Sequence, residues 1–345
     1  MSLMRKGLTL VLTLVVLSLL VAIILVDRAM DTNLKLDAGD EVLLVSPGSS
    51  LAGLVEELEQ REILCCPRAF ALSARISGAA TRIKAGEYLL ETGMTAEDLL
   101  RTLVQGNVLM RGFTIVEGWT VRELLAALAT VDALEQDISA DTESAETLMA
   151  RFGQAGAHAE GQFLPETYYF VRGERVSDVL SRAHDHLQEQ LERAWRGRDS
   201  GLPFDTPYEA LVLASIVEKE TALVTERPVI AGVFIRRLQH RMRLQTDPTV
   251  IYGLGSSFDG NLTRRHLDTD TPYNTYTRGG LPPTPIALPG IDAITAVMHP
   301  QPGDALYFVA TGAGDGSHQF SATLEEHNQA VQDYLRQLRQ NRKKP

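Results

Sequence analysis

The sequence predicts a mixed α+β protein: an N-terminal transmembrane helix, a small α+β module, and a larger mixed α+β domain. Three observations predict this. Gly7–Val26 is twenty residues without a charge. A pattern of short strand, glycine, hydroxyl residue and helix then occurs three times, in "VSPGSSLAGLVEELEQ", "LETGMTAEDLLRTLVQ" and "VEGWTVRELLAALAT". Farther on, "LVLASIV" is apolar on every side, the signature of a core helix, and a loop dense in proline and glycine follows it.

The elements follow in order. Residues 1–6 form a short basic end and 7–26 the membrane helix, which at 1.5 Å per residue spans about 30 Å, the thickness of a bilayer's hydrocarbon core. A cleaved signal would have a shorter apolar run and a small-x-small site; Asp27-Arg28-Ala29-Met30 is a poor one. Arg5 and Lys6 precede the run, so the positive-inside rule keeps the N-terminus in the cytoplasm and exports the rest to the periplasmic side of an inner membrane. Residues 27–40 are polar and aperiodic and read as a linker. Residues 41–110 form the small module. Its glycines Gly48 and Gly93, and Gly118 of the third copy, precede Ser50, Thr95 and Thr120, each placed to cap a helix. Thr95 with Asp98 and Thr120 with Glu123 have capping-box spacing. Cys65 and Cys66 are adjacent, so a structural disulfide between them would be strained; they read as buried thiols and not as a metal site.

Residues 111–345 form the larger domain. Thr130–His158 reads as helical and weakly patterned, and Val176–Arg198 as a long amphipathic helix. In "RPVIAGVFIRRLQHRM" the period places Val229, Val233, Ile235 and Leu238 inward and Arg236, Arg237 and His240 outward. "LQTDPTVIYGLG" places Asp247 as a helix cap with Pro248 at the first helical position. Thr271–Gly290 holds five prolines and three glycines, too many for a helix or central strand; a long ordered loop of this kind is usually functional. "DALYFVATG" reads as a strand, "GAGDGS" as a hairpin turn, and "EEHN" as the start of the last helix.

Composition narrows the function. The net charge of −11 argues against a nucleic-acid partner, which needs clustered Lys and Arg; the basic run Arg336–Lys344 reads as a solvated helix end. The eight histidines are scattered, with no metal-ligand spacing; the phosphate-loop ending and the Gly-x-Ser-x-Gly motif are both missing. No metal or other cofactor is expected. Carboxylates remain. Glu218, in "LASIVEKET", shares a helix face with Leu211, Ala214 and Ser215, so if that face is buried the carboxyl is desolvated and its pKa rises. Such an acid can protonate a leaving oxygen. Glu220 lies about 200° round the axis, on another face.

"LASIVEKET", "MRLQTDPTVIYGLG", "YNTYTRGGLPPTPIALPG" and "HQFSATLEEHN", with "EGQFLPETYYF" before them, resemble the YceG-like family of endolytic murein transglycosylases from the anchor to the last helix. The resemblance implies a LysM-like character for the 41–110 module and a lyase acting on peptidoglycan. It implies cleavage of the MurNAc–GlcNAc β-1,4 bond without water, leaving 1,6-anhydroMurNAc ends and limiting the length of nascent strands. It places the catalytic acid on Glu218 and cleft-lining, substrate-binding groups on Gln245, Asp247, Tyr252, Asn274, Thr275 and Tyr276. It also implies contact with peptidoglycan synthases. The segment Gln162-Phe163-Leu164 is less aromatic than the family pattern, which leaves Phe163, Tyr168 and Tyr169 open between stacking and core. Two other readings stand beside this one: a lysozyme-type hydrolase with Asp247 as second carboxylate, and a non-catalytic peptidoglycan-binding scaffold, which the intact Glu218 motif disfavours.

Overall fold

The computed structural model describes residues 2–36, 39–138, 145 and 147–341. Parts of two expected stretches, within Thr130–His158 and at the end of Arg336–Lys344, lie outside them. The chain is mixed α+β. In order it forms α1 (Ser2–Met30), β1 (Glu41–Val45), α2 (Leu51–Gln60), α3 (Pro67–Ile76), β2 (Gly86–Leu90), α4 (Ala96–Gln105), β3 (Arg111–Thr114), α5 (Val121–Leu128), β4 (Thr167–Phe170), α6 (Val176–Gly197) and α7 (Pro207–Glu220). Then come α8 (Arg227–Gln239), α9 (Asp247–Leu254), α10 (Arg264–Asp268), α11 (Ile291–Met298), β5 (Tyr307–Ala310), β6 (His318–Ser321) and α12 (Leu324–Asn341). The strands pair in twos: β1 with β2, β3 with β4, and β5 with β6.

The repeated local pattern has a local cause. Gly48, Gly93 and Gly118 have φ of 80°, 93° and 78°, a left-handed conformation that a side chain disfavours. Two residues later Ser50, Thr95 and Thr120 are N-caps whose side chains accept from Gly53, Asp98 and Glu123 amides, and the last two form complete capping boxes. Each copy thus satisfies one of the orphan amides of its own helix before any packing is considered.

Two compact units result: Met1–Arg111 with Tyr169–Gly173, and Gly112–Tyr168 with Glu174–Pro345. In the first, β1 and β2 pair antiparallel, Leu43 opposite Tyr88, and cover a core containing Leu43, Leu58, Tyr88 and Leu99, all fully buried. Residues 169–173 belong here through chemistry: Glu87, 5% exposed, accepts from Arg111 Nε at 2.8 Å and also from Arg172. These partners hold its carboxyl below the usual range. The segment read from sequence as a linker is not wholly detached. Helix α1 continues to Met30, and Met30 and Leu34 are buried in this core. The Leu34 and Lys35 amides donate to Met94 and Ile63 carbonyls at 2.8 and 2.9 Å. Cys65 and Cys66 are exposed, not buried, because Cys66 is the residue before Pro67 at the start of α3, on the surface turn that launches the helix.

The second unit is built round α7, whose residues Ala210–Val217 are all buried. Thr206 caps α7 with Pro207 behind it, and Glu209 completes the capping box. Helices α6, α8 and α11 supply the rest of the core through Leu187, Phe234, Ile294 and Val297. The expected strand near 307 and the helix start at "EEHN" appear as β5 and α12, joined through a hairpin in which Tyr307 faces Ser321. The expectation for Arg237 is corrected. It is 7% exposed, because Nε and Nη1 donate to the Leu306 and Leu244 carbonyls at 2.6 and 2.7 Å, and it ties α8 to β5. Phe163 is fully buried, Tyr168 is 7% exposed, and Tyr169 is 62% exposed, so Phe163 and Tyr168 belong to the core and Tyr169 alone of the three lies at the surface.

Candidate active site

All the residues of the candidate site lie in the second unit. Helix α7 is held in depth by Ser215, fully buried, whose Oγ donates to the Val212 carbonyl at 2.7 Å and accepts the Ile286 amide at 2.9 Å. That bond seats α7 against the proline-rich loop, in which Pro282 and residues 284–290 are buried without regular structure. At the end of α7, Glu218 has a side chain only 5% exposed. Its Oε1 accepts from Arg227 Nη2 at 2.6 Å and its Oε2 from the Gly290 amide at 3.0 Å. Gly290 is the N-cap of α11, so the carboxyl also faces the positive end of a helix.

Arg227, 4% exposed, divides Nη2 between Glu218 and Glu117, the latter at 3.2 Å and 44% exposed. Its Nε and Nη1 have no hydrogen-bond partner among the described residues. Glu117 is brought here by the backbone: the Gly118 amide donates to Leu288 at 2.9 Å and the Leu288 amide to Trp119 at 2.7 Å. A Cβ at Gly290 would lie 2.0 Å from Glu117 Oε1, so this close approach requires glycine. Two effects oppose each other at Glu218. Burial pushes the carboxyl up; the Gly290 amide and Arg227 pull it down; burial prevails and the pKa is raised.

Glu220 points to different partners. Burial raises its pKa to about 7, against a hydrogen bond from the Thr246 hydroxyl and with Asp247 adding to the rise. Around it stand four of the residues expected in the cleft. The Gln245 backbone, at φ 51°, donates to the Thr275 carbonyl at 3.2 Å, the Thr246 amide donates to Thr275 Oγ1 at 3.1 Å, and Tyr276 OH donates to Asp247 Oδ1 at 2.6 Å. The expectation that Asp247 caps the helix is corrected. Thr246 is the N-cap position, without a side-chain cap bond, and Asp247 is the first helical residue, because its carboxylate turns to Tyr276 instead of to the helix amides.

The remaining two expected residues lie elsewhere. Asn274, 1% exposed, donates to the Leu267 and Thr269 carbonyls at 2.9 and 2.7 Å and accepts the Tyr276 amide at 2.8 Å, so it staples the loop that carries Thr275 and Tyr276. Tyr252 donates to Glu160 Oε2 at 2.9 Å and packs edge-on against Tyr273, with centroids 4.9 Å apart. Glu160, 3% exposed, also accepts the Val121 amide at 2.9 Å, and burial raises its pKa to about 7. Sequence reasoning did not single out Glu117, Glu160 or Arg227. Each sits inside a quoted motif, but nothing in spacing says that Arg227, nine positions from Glu218, bonds its carboxyl, or that Glu117, 101 positions from it, shares the same guanidinium.

The fold and site thus define a class: a mixed α+β protein in which two glutamates, Glu218 and Glu220, stand at the end of one core helix that packs on a proline-rich loop. The chain belongs to the YceG-like family, whose profile matches residues 43–333. It is 29% identical over 314 residues to a Bacillus subtilis protein named endolytic murein transglycosylase, covering 84% of each chain. A Streptococcus pneumoniae protein of the same name is 26% identical over 341 residues, covering 89% of this chain and 61% of that one. A crystal structure of a YceG-like protein from Listeria monocytogenes aligns with a TM-score of 0.52 at 28% identity, covering 84% of this chain and 98% of that one.

Proposed function

We propose that this chain is a membrane-anchored endolytic murein transglycosylase, a lyase of peptidoglycan strands, with Glu218 as its single catalytic acid and base. The observation that carries the residue assignment is the setting of Glu218: an acid whose side chain is 5% exposed, directly after the buried run Ala210–Val217 of α7, between one cation and one backbone amide. Burial favours the protonated form, and Arg227 and Gly290 favour the charged one. A group so balanced can both give and take a proton. Glu218 protonates the glycosidic oxygen as the C1–O4 bond breaks. The C6 hydroxyl of the same muramic residue attacks C1, and its proton returns to Glu218. No water enters, the C1–O6 bond closes the 1,6-anhydro ring, and the intramolecular attack gains from proximity.

Gln245, Asp247 and Tyr276 would bind the glycan, Asn274 and the buried Thr275 would hold their loop in place, and Tyr252 would be set by Glu160. The 41–110 module is LysM-like and positions the strand; support comes from its β1-α2-α3-β2 order with β1 and β2 paired antiparallel. Helix α1 is the anchor: among the described residues it is the one helix long and apolar enough to cross a bilayer, and none of its apolar stretch is buried. The basic residues before it keep the N-terminus cytoplasmic and leave residues 41–345 in the periplasm, where synthases of the same polymer are the expected partners. Digestion of uncross-linked glycan strands, with products identified by mass, tests the reading. The expected ends are 1,6-anhydro, lighter by one water than hydrolysed ends. Reducing muramic ends would make the enzyme a hydrolase and Asp247 the first candidate for a second carboxylate.

A further inference from the structure

The first unit carries an apolar groove that the glycan chemistry does not use. A cavity of about 910 Å³ lies between α1 and the helices α3 and α4. Leu19 and Ile23 of α1 form one wall; Leu72 and Ile76 of α3 stand opposite. Leu72 is 44% and Ile76 78% exposed, two large aliphatic side chains one helical turn apart on the outer face of a helix that buries Phe70 and Ala74.

The position of the groove along α1 says what covers it. If Val26 marks the outer edge of the hydrocarbon core, Leu19 and Ile23 lie about 10 and 4 Å inside it, at 1.5 Å per residue. Residues that line the same cavity as these are at acyl-chain depth or at its boundary. The module has little freedom to lift away, because α1 runs without a break to Met30, which is buried with Leu34 in the module's own core, and two backbone hydrogen bonds follow at once. At the groove's rim stand Arg82, Arg101, Asp27 and Glu97, charges of both signs that suit zwitterionic headgroups, with long side chains able to reach up to them.

We infer that the first unit is seated in the outer leaflet of the membrane, with Leu72 and Ile76 inserted among phospholipid acyl chains that fill the groove beside α1. This rests on the reading of α1 as a transmembrane anchor and goes beyond it: the anchor becomes part of a rigid foot, and the glycan-positioning module is held at a fixed height on the bilayer. Membrane contact by an apolar patch next to a spanning helix adds burial in proportion to the area covered.

The test uses the full-length protein in nanodiscs made with phosphatidylcholine brominated along its acyl chains. Single tryptophans are placed at Leu17→Trp, Leu72→Trp, Ile76→Trp and Glu56→Trp, and the signal of Trp119 and Trp195 is subtracted using the unsubstituted protein. Glu56 is an exposed residue of α2, which forms no part of the groove. The expected result is loss of most of the added fluorescence to brominated lipid at positions 17, 72 and 76, and quenching of position 56 by aqueous iodide instead. If position 17 is quenched by lipid but 72 and 76 respond to iodide as 56 does, the seated foot is wrong and the anchor stands. If position 17 also escapes the lipid, the anchor reading fails and the foot falls with it. Circular dichroism of each variant confirms that the module is folded before quenching is compared.

Discussion

Replacing Glu218 by Gln should abolish most cleavage, and the structure says what else it should do. The amide cannot donate a proton to the glycosidic oxygen. General acid–base help is worth about 10²–10⁴-fold, so cleavage should fall by at least that range, about 3–5.5 kcal/mol of barrier. Sequence alone predicts little change in stability, since a neutral amide is no harder to bury than a carboxylate. The structure predicts otherwise. Glu218 accepts from both Arg227 and the Gly290 amide, whereas an amide has one acceptor oxygen and turns an NH₂ toward the second donor. Arg227 is left as a buried cation with Glu117 at 3.2 Å as its remaining carboxylate. Breaking a buried pair typically costs about 3–5 kcal/mol, and Glu117 places this case near the lower end. For a unit of this size about 3 kcal/mol is a fall of roughly 6–12 °C in melting temperature. The double variant E218Q/R227M removes the stranded charge and should recover most of the stability while recovering none of the activity. The assay is strand cleavage well below the melting point of every variant, alongside thermal melts. Cleavage by E218Q at the wild-type rate would refute the mechanism. An unchanged melting temperature would refute the account of the Arg227 pair.

Other expectations follow from the same geometry. R227M alone removes the cation that favours the charged form of Glu218, so the alkaline limb of the activity–pH profile should move to higher pH; a limb that stays or moves down contradicts the assignment. Glu160 has a folded pKa of about 7 against an ordinary 4.5. The native state therefore binds more protons between those values, and stability from this site is lost as pH rises through them, by an amount on the order of 3 kcal/mol. E160Q should gain melting temperature relative to wild type on going from pH 5 to pH 8, and a pH-independent difference would count against the buried acid. S215A leaves the Ile286 amide buried without its acceptor and should cost about 1–3 kcal/mol by denaturant unfolding. D247N keeps the acceptor for Tyr276 and loses only the charge in the first turn of α9, so it should lose no more than about 1 kcal/mol; a larger loss of cleavage than of stability would mark Asp247 as a group that touches the glycan.

The sequence by itself determined what local chemistry controls. An uncharged run of twenty residues can only be a very apolar helix, and three Gly-x-Ser/Thr steps carry their own left-handed turn and their own cap, so those helix starts were legible before any contact was known. The burial of α7 was legible too, because Leu211–Val217 has no polar side to offer water. Tertiary structure decided the rest, for reasons that spacing does not contain. Arg237 reads as outward by period, yet its guanidinium is buried because the carbonyl of Leu306, 69 residues later and just before β5, and that of Leu244 are there to receive it. Asp247 reads as a cap, but Tyr276 competes for its carboxylate. The protonation of Glu218 depends on a guanidinium from α8, an amide from the start of α11 and a carboxylate next to Gly118, and their effects compete only because the fold brings all three within hydrogen-bond range of one buried pair. A helix period can say that an acid faces inward; which charges meet it there is settled by long-range packing, and in a site of low dielectric those few charges set whether it holds a proton.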